Sequence, residues 1–218
     1  MPKPLLVVGN RNYSSWSLRP YMALAMAGID FEQKLIRFTD PQFSAKVARI
    51  SKARLVPILK HNDLVIWDSL AILEYLAETW PTKNLWPKNK SARAYARSIS
   101  AEMHSGFSNL RSACPMNLRR PIKPINTNAD VRRDIARLEQ IFATARKTFG
   151  KGGQFLFGKF SNADAMFTPI ITRFETFNIP VSTSTRDYMN AILATPAFHA
   201  WKASALEETD IFPADEVD

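Results

Sequence analysis

Cysteine is nearly missing from this chain: 218 residues contain one, Cys114, alongside seven glycines and three histidines. A lone cysteine excludes an internal disulfide framework and fits a reducing compartment, so a cytoplasmic protein is expected. No metal site is expected either. Long apolar runs are also lacking, and no stretch approaches the roughly 18–20 residues that a membrane span needs. The opening "MPKPLLVVGN" has a short apolar stretch and no small-residue cleavage site, so a secretory leader is not expected. Acidic side chains are scarce overall, leaving a formal net charge of +9. The imbalance is local: residues 1–87 hold 11 basic and 7 acidic side chains, 88–160 hold 15 and 4, and 161–218 hold 3 and 9. A positive middle and a negative tail read as solvated surface charge over one face. The basic stretch lacks interleaved aromatic residues, which argues against a nucleic-acid partner.

What is present is a globular composition, 46% hydrophobic and 11% aromatic, with enough length for one large domain or two small ones. The first eighty residues alternate between two periods. "LLVVG" (5–9) reads as a buried strand, and residues 18–27 as a helix ended by Gly28. "FEQKLIRF" (31–38) alternates like a second strand, and "PQFSAKVARIS" (41–51) is a short helix with Pro41 in its first turn. "VPILKHNDLVIWD" (56–68) reads as a hairpin around Asn62-Asp63, and "SLAILEYLAETW" (69–80) as an amphipathic helix stopped by Pro81. The order βαβαββα implies a parallel pair plus an antiparallel hairpin, hence a mixed four-stranded sheet with helices packed on it. "WPTKNLWPKNK" (80–90) reads as a linker, and helical spacing then recurs near 91–113, 129–149, 162–177, 185–194 and 197–206. The expected division is an α/β domain over 1–80, a linker over 81–90 and an all-helical bundle domain over 91–218.

Between the first strand and the first helix lies "NRNYSSWSLRP" (10–20), with serines at 14, 15 and 17. Proline is tolerated in a helix's first turn, so Pro20 places the helix start near Ser17 and makes Ser17 an N-cap candidate. Ser14 and Ser15 then remain in the loop, free to face a ligand. Asp68-Ser69 opens another helix, where free N–H groups and the positive helix end suit an anion, with simple capping as the alternative role. Ser161-x-x-Asp164 has the spacing of a capping box and points to folding. Cys114 reads as a small buried apolar residue. No cysteine precedes the first helix, which disfavours a glutaredoxin-like redox role.

Four features in order, the Ser-rich loop at 5–27, "LVPIL" (55–59), "WDSLAILEYL" (67–76) and "SNADAMFTP" (161–169), make the chain resemble the cytosolic glutathione transferases along nearly its whole length. "YSSWSLR" leans toward the serine-using, zeta-like branch and its bacterial relatives. The resemblance implies a thioredoxin-like first domain, a homodimer, and glutathione as co-substrate. It puts the catalytic serine at Ser14 with Ser15 in reserve, while Tyr13 stands as a competing donor because other branches use tyrosine. It further implies a cis peptide before Pro57 that exposes the backbone of Val56 to the cysteinyl unit. The γ-glutamyl end falls to Asp68 and Ser69, and the glycyl carboxylate to Arg54. The acceptor site falls to the helical domain, around His104, Phe107 and Arg111, with Arg111 and Arg119 suited to an anionic second substrate.

Two departures stand out. Zeta-type maleylacetoacetate isomerases carry an arginine where this chain has Thr176, and Arg173 lies about one helical turn earlier, which argues against carrying over their substrate binding. Trp16 stands where those enzymes usually have cysteine. The leading expectation is a glutathione transferase acting on a small electrophile. A zeta-like cis–trans isomerase and a non-catalytic glutathione-binding scaffold are the alternatives.

Overall fold

The computed structural model describes residues 2–217. Strand β1 (Leu5–Val8) lies inside a four-stranded sheet of order β2-β1-β3-β4, with β2 at Glu32–Leu35, β3 at Ile58–His61 and β4 at Leu64–Ile66. β1 runs parallel to β2 and antiparallel to β3, and β3 turns back into β4. Asn62 takes φ 52° in that turn, a conformation asparagine accepts more readily than most residues. Because side chains alternate across a strand, Leu6, Val8 and Leu59 face one core while Val7 and Ile58 face another.

Helices α1 (Ser15–Met26) and α3 (Ser69–Thr79) cover the first face, and α2 (Phe43–Ala48) covers the second through Val47. Two expectations need correction here. The first helix begins at Ser15, because the Ser14 carbonyl already accepts from the N–H groups of Ser17 and Leu18. Ser17 is therefore inside the helix and is not its N-cap. Pro20 sits in the second turn, where its missing N–H removes only the bond to the Trp16 carbonyl. Pro41 likewise lies ahead of α2, whose entry is set by Asp40 accepting from the backbone N–H groups of Gln42 and Phe43.

The second half is helical: α4 (Lys90–Ser105), α5 (Ser108–Ala113), α6 (Ala129–Phe149), α7 (Asn162–Thr176), α8 (Thr183–Leu193) and α9 (Pro196–Leu206). The stretch expected as one helix over 91–113 is broken between α4 and α5. At Gly106 a Cβ would lie 2.7 Å from the Glu102 carbonyl oxygen, and Phe107 follows with φ 60°. α7 is buried along nearly its whole length. Its start is held by the reciprocal box of Ser161 and Asp164, and the Asp164 carboxylate also accepts from Leu156 N at 3.0 Å. Met166 of α7 and Phe198 and Trp201 of α9 belong to the same core as Leu6, Met22 and Leu73, so one apolar interior joins the sheet layer to the bundle. Among the described residues no helix is long and apolar enough to cross a membrane.

After α9 the acidic tail turns back over the loop at 10–13. The carboxylate of Glu208 accepts from the backbone N–H groups of Arg11 (2.8 Å) and Asn12 (3.2 Å) and from the Asn10 amide (3.3 Å). Asp210 pairs with Arg37 and Thr39, and Glu216 with Tyr13 and Asn117. The charge asymmetry along the sequence is thus partly internal pairing: the negative tail folds onto residues of the positive segments.

Candidate functional site

A cleft of about 670 Å³ opens where the first turn of α1, the segment before β3, and helices α5 and α7 converge. Ser14, Ser15, Trp16, Val56, Arg111 and Arg173 line it. The Val56–Pro57 bond is cis. Ser14 is the residue immediately ahead of α1, so it stands at the positive end of that helix. Its hydroxyl lies 2.7 Å from the Ser17 hydroxyl, which in turn accepts from Gly9 N at 3.2 Å. Ser15 is the first residue of the helix and is also at the wall.

Tyr13 reaches the cleft with its ring, but its hydroxyl is engaged elsewhere. It donates to the Glu216 carboxylate, lies 3.2 Å from the Asp210 carbonyl, and accepts from Arg119 (2.8 Å) and from Phe212 N (3.3 Å). Burial and the Glu216 carboxylate push the Tyr13 phenol above its ordinary range. Arg119 is consumed by the same tail, donating also to the Glu208 and Asp210 carbonyls. It is therefore not free to meet a substrate.

Asp68 caps α3: its Oδ1 accepts from Leu70 N at 2.9 Å, and its Oδ2 lies 3.3 Å from His104 Nε2. Ser69 is fully buried beside it and accepts from Arg19 Nη1 at 3.3 Å. Arg54 has a left-handed backbone, φ 57°, and an exposed side chain.

Of the three helical-domain candidates, the structure brings Arg111 to the cleft and the other two elsewhere. Phe107 is in the core of the bundle, and His104 packs edge-on against Trp16, 5.1 Å between ring centres, while pairing with Asp68. Cys114 is buried, and burial raises its thiol to about 11, which leaves it protonated and inert. Arg173, set aside on sequence because of its displacement along α7, lines the cleft. Its Nε and Nη1 donate to the Cys114 and Pro169 carbonyls at 2.8 and 2.9 Å. Burial, then the charge of Arg111, lowers Arg173 to about 10, and burial lowers Arg111 as well. Both stay cationic at neutral pH. Asp215 of the tail is the acid at this wall, and burial raises its carboxyl against the pull of Arg173.

Two features went unread in the sequence. One is Arg19, 1% exposed, on the second turn of α1; "SLRP" signals it only as a charged residue in an otherwise apolar helix. The other is the tail, which brings Phe212 and Asp215 into the cleft from the far end of the chain, where no local motif marks them.

A sheet of this topology closed by a helical bundle, with a polar cleft at the mouth of the first helix, defines a thioredoxin-like protein with a helical second half. Comparison with known proteins narrows this. Residues 13–79 match the family described as glutathione S-transferase, N-terminal domain. Over 205 residues the chain is 32% identical to maleylacetoacetate isomerase of Rattus norvegicus, covering 90% of each. It is 38% identical to a probable maleylacetoacetate isomerase of Caenorhabditis elegans over 110 residues, half of each chain. A crystal structure of a glutathione transferase homologue from Burkholderia GL BGR1, with bound glutathione, shares the fold at a TM-score of 0.71. That match covers 95% of this chain and 100% of that one at 23% identity. The chain belongs to the glutathione transferase family.

Proposed function

We propose that the protein is a glutathione-dependent enzyme of the zeta type that isomerises a conjugated double bond in a small acidic substrate. Net transfer of glutathione to an electrophile is the second reading. The observation that carries the proposal is the pairing, in one cleft, of a serine hydroxyl at the mouth of α1 with two guanidinium groups, Arg111 and Arg173. The relatives named maleylacetoacetate isomerase favour the isomerase over simple transfer. Arg173 answers the objection raised by Thr176, since it offers a guanidinium to the cleft from one turn earlier.

The residues present suit glutathione. Val56 lines the cleft ahead of the cis bond to Pro57, Asp68 and Ser69 stand at the start of α3 for the γ-glutamyl end, and the exposed Arg54 is available to the glycyl carboxylate. When bound, glutathione supplies a thiolate that adds to the double bond, frees it to rotate, and is expelled without net consumption. Ser14 has the task of keeping that sulfur ionised. A free thiol titrates near ~8.5, and lowering it by roughly 2 units requires about 2.7 kcal/mol. A hydroxyl donated to a charged acceptor contributes roughly 1.5–3 kcal/mol. The positive end of α1 contributes a further ~0.3–1 kcal/mol. Ser17 lets Ser14 do this. In the structure Ser14 donates to the Ser17 hydroxyl; because a hydroxyl both donates and accepts, Ser14 turns that proton to the sulfur when glutathione binds and accepts from Ser17 instead. Arg111 and Arg173 hold the carboxylate of the substrate and stabilise charge that develops on its conjugated carbonyl. As the resemblance implies, the enzyme works as a homodimer.

The test is an ultraviolet titration of bound glutathione's thiol in wild type and Ser14→Ala, followed by turnover with conjugated acids. Wild type is expected to lower the thiol pKa, and S14A to return it upward by about 1–2 units, in line with one charge-assisted hydrogen bond. Binding without a lowered pKa in wild type points instead to a scaffold. Neutralising Arg111 should raise KM for acidic substrates; unchanged turnover in that variant removes it from the acceptor site.

A further inference from the structure

Arg19 is a buried cation with no ion pair. It is 1% exposed, its Nε is buried without a hydrogen-bond partner, and no carboxylate among the described residues lies within salt-bridge distance. Its Nη1 donates to the Ser69 hydroxyl at 3.3 Å, and its guanidinium stacks 4.2 Å from the centre of the Trp16 ring. A side chain that served packing alone would be replaced at little cost by an apolar one of similar volume. The location is also unfavourable for a structural cation. It adjoins the positive start of α3 and lies one turn from the positive start of α1. Arg111 and Arg173 oppose its charge, and Asp68, the one acid that favours it, is already engaged by Leu70 N–H and His104. An arriving anion would offset this repulsion.

We propose that Arg19 is a positioning residue for an anion pocket at the start of α3, acting through the Ser69 hydroxyl on the α-carboxylate of a γ-glutamyl ligand. Guanidinium has donors and no acceptor, so the Ser69 oxygen accepts from Arg19 and its own proton is left for another acceptor. Trp16 clamps the guanidinium from the other side, and its second neighbour, Arg111 at 5.0 Å, keeps the indole in place. The inference rests on the glutathione-dependent reading above, and it adds a residue that acts on binding and not on the sulfur.

The experiment is equilibrium titration of wild type, Arg19→Met, Arg19→Lys, Ser69→Ala and the R19M/S69A double variant. Two ligands are used: glutathione and an analogue lacking the γ-glutamyl α-carboxylate. R19M is expected to bind glutathione about tenfold more weakly than wild type, R19K within about threefold, and the double variant no more weakly than S69A alone. The analogue should bind all five proteins within about twofold of one another. Arg19→Gln carries the same comparison should R19M fail to fold. Wild-type affinity in R19M or R19Q, equal losses for both ligands, or additive losses in the double variant overturn the inference while leaving the glutathione site standing. Absence of glutathione binding in the wild type overturns both.

Discussion

Replacing Glu208 by alanine should unfasten the loop that carries Ser14. The carboxylate is 6% exposed and accepts three N–H donors at 2.8–3.3 Å, two of them backbone groups of Arg11 and Asn12. The Asn10 amide keeps a second acceptor, Asp210 Oδ2 at 3.2 Å, so truncation strands the two backbone donors. Each buried donor left unmade costs about 1–3 kcal/mol, so the two together set the expected loss at about 2–6 kcal/mol. Glu208→Gln keeps one accepting oxygen and should lose about half as much. Urea denaturation of the three proteins measures this, with an unchanged m-value showing that stability alone has moved. Because Ser14 N itself bonds to the Asn10 carbonyl, the KM for glutathione should rise along with the instability. An alanine variant within about 0.5 kcal/mol of wild type, the scatter of neutral surface changes, would mean that the tail is not fastened as described.

Two further outcomes concern the tail and the start of α7. Tyr13→Phe should leave the thiol pKa of bound glutathione where it is, since that hydroxyl serves the tail, and should cost about 1–3 kcal/mol of stability; a shift of the thiol would make Tyr13 the sulfur's partner. Burial raises the Asp164 carboxyl from 3.8 to about 6, so the folded state binds a proton that the unfolded chain releases. Stability from this group is full below about pH 4 and falls by about 3 kcal/mol as pH rises through about 6. The difference between wild type and Asp164→Asn should therefore shrink across that window, and parallel stability profiles would contradict it.

Much of the architecture was legible because it is written in short-range pattern. A short apolar run located β1, alternation located β2, Asn62-Asp63 marked the hairpin of β3 and β4, and Asp68-Ser69 marked the start of α3. The start of α1 was misjudged because a rule about Pro20 outweighed the backbone bonding of Ser14, which only the folded turn reveals. The break at Gly106 has the same origin: the crowding against Glu102 O is a fact of three dimensions. At the cleft, Ser14 and Ser15 stood out by type and place, while Val56 and Arg111 came from the family resemblance. Arg19 and Arg173 did not, because a buried arginine and a solvated one are spelled alike. Phe212 and Asp215 reach the cleft across nearly the full length of the chain, and periodicity carries no information at that range.

The shared interior has a consequence for how the molecule comes apart. Tyr21 of α1 packs 4.7 Å from Trp201 of α9, the Trp201 indole donates to the Arg11 carbonyl, and the Asn162 amide reaches the Leu73 carbonyl at 2.9 Å. Isolating the first eighty residues would take from Tyr21 the Trp201 ring it packs against and from the Leu73 carbonyl its Asn162 donor. The two halves are hence expected to denature together, and a single transition seen by both near- and far-ultraviolet circular dichroism would check it.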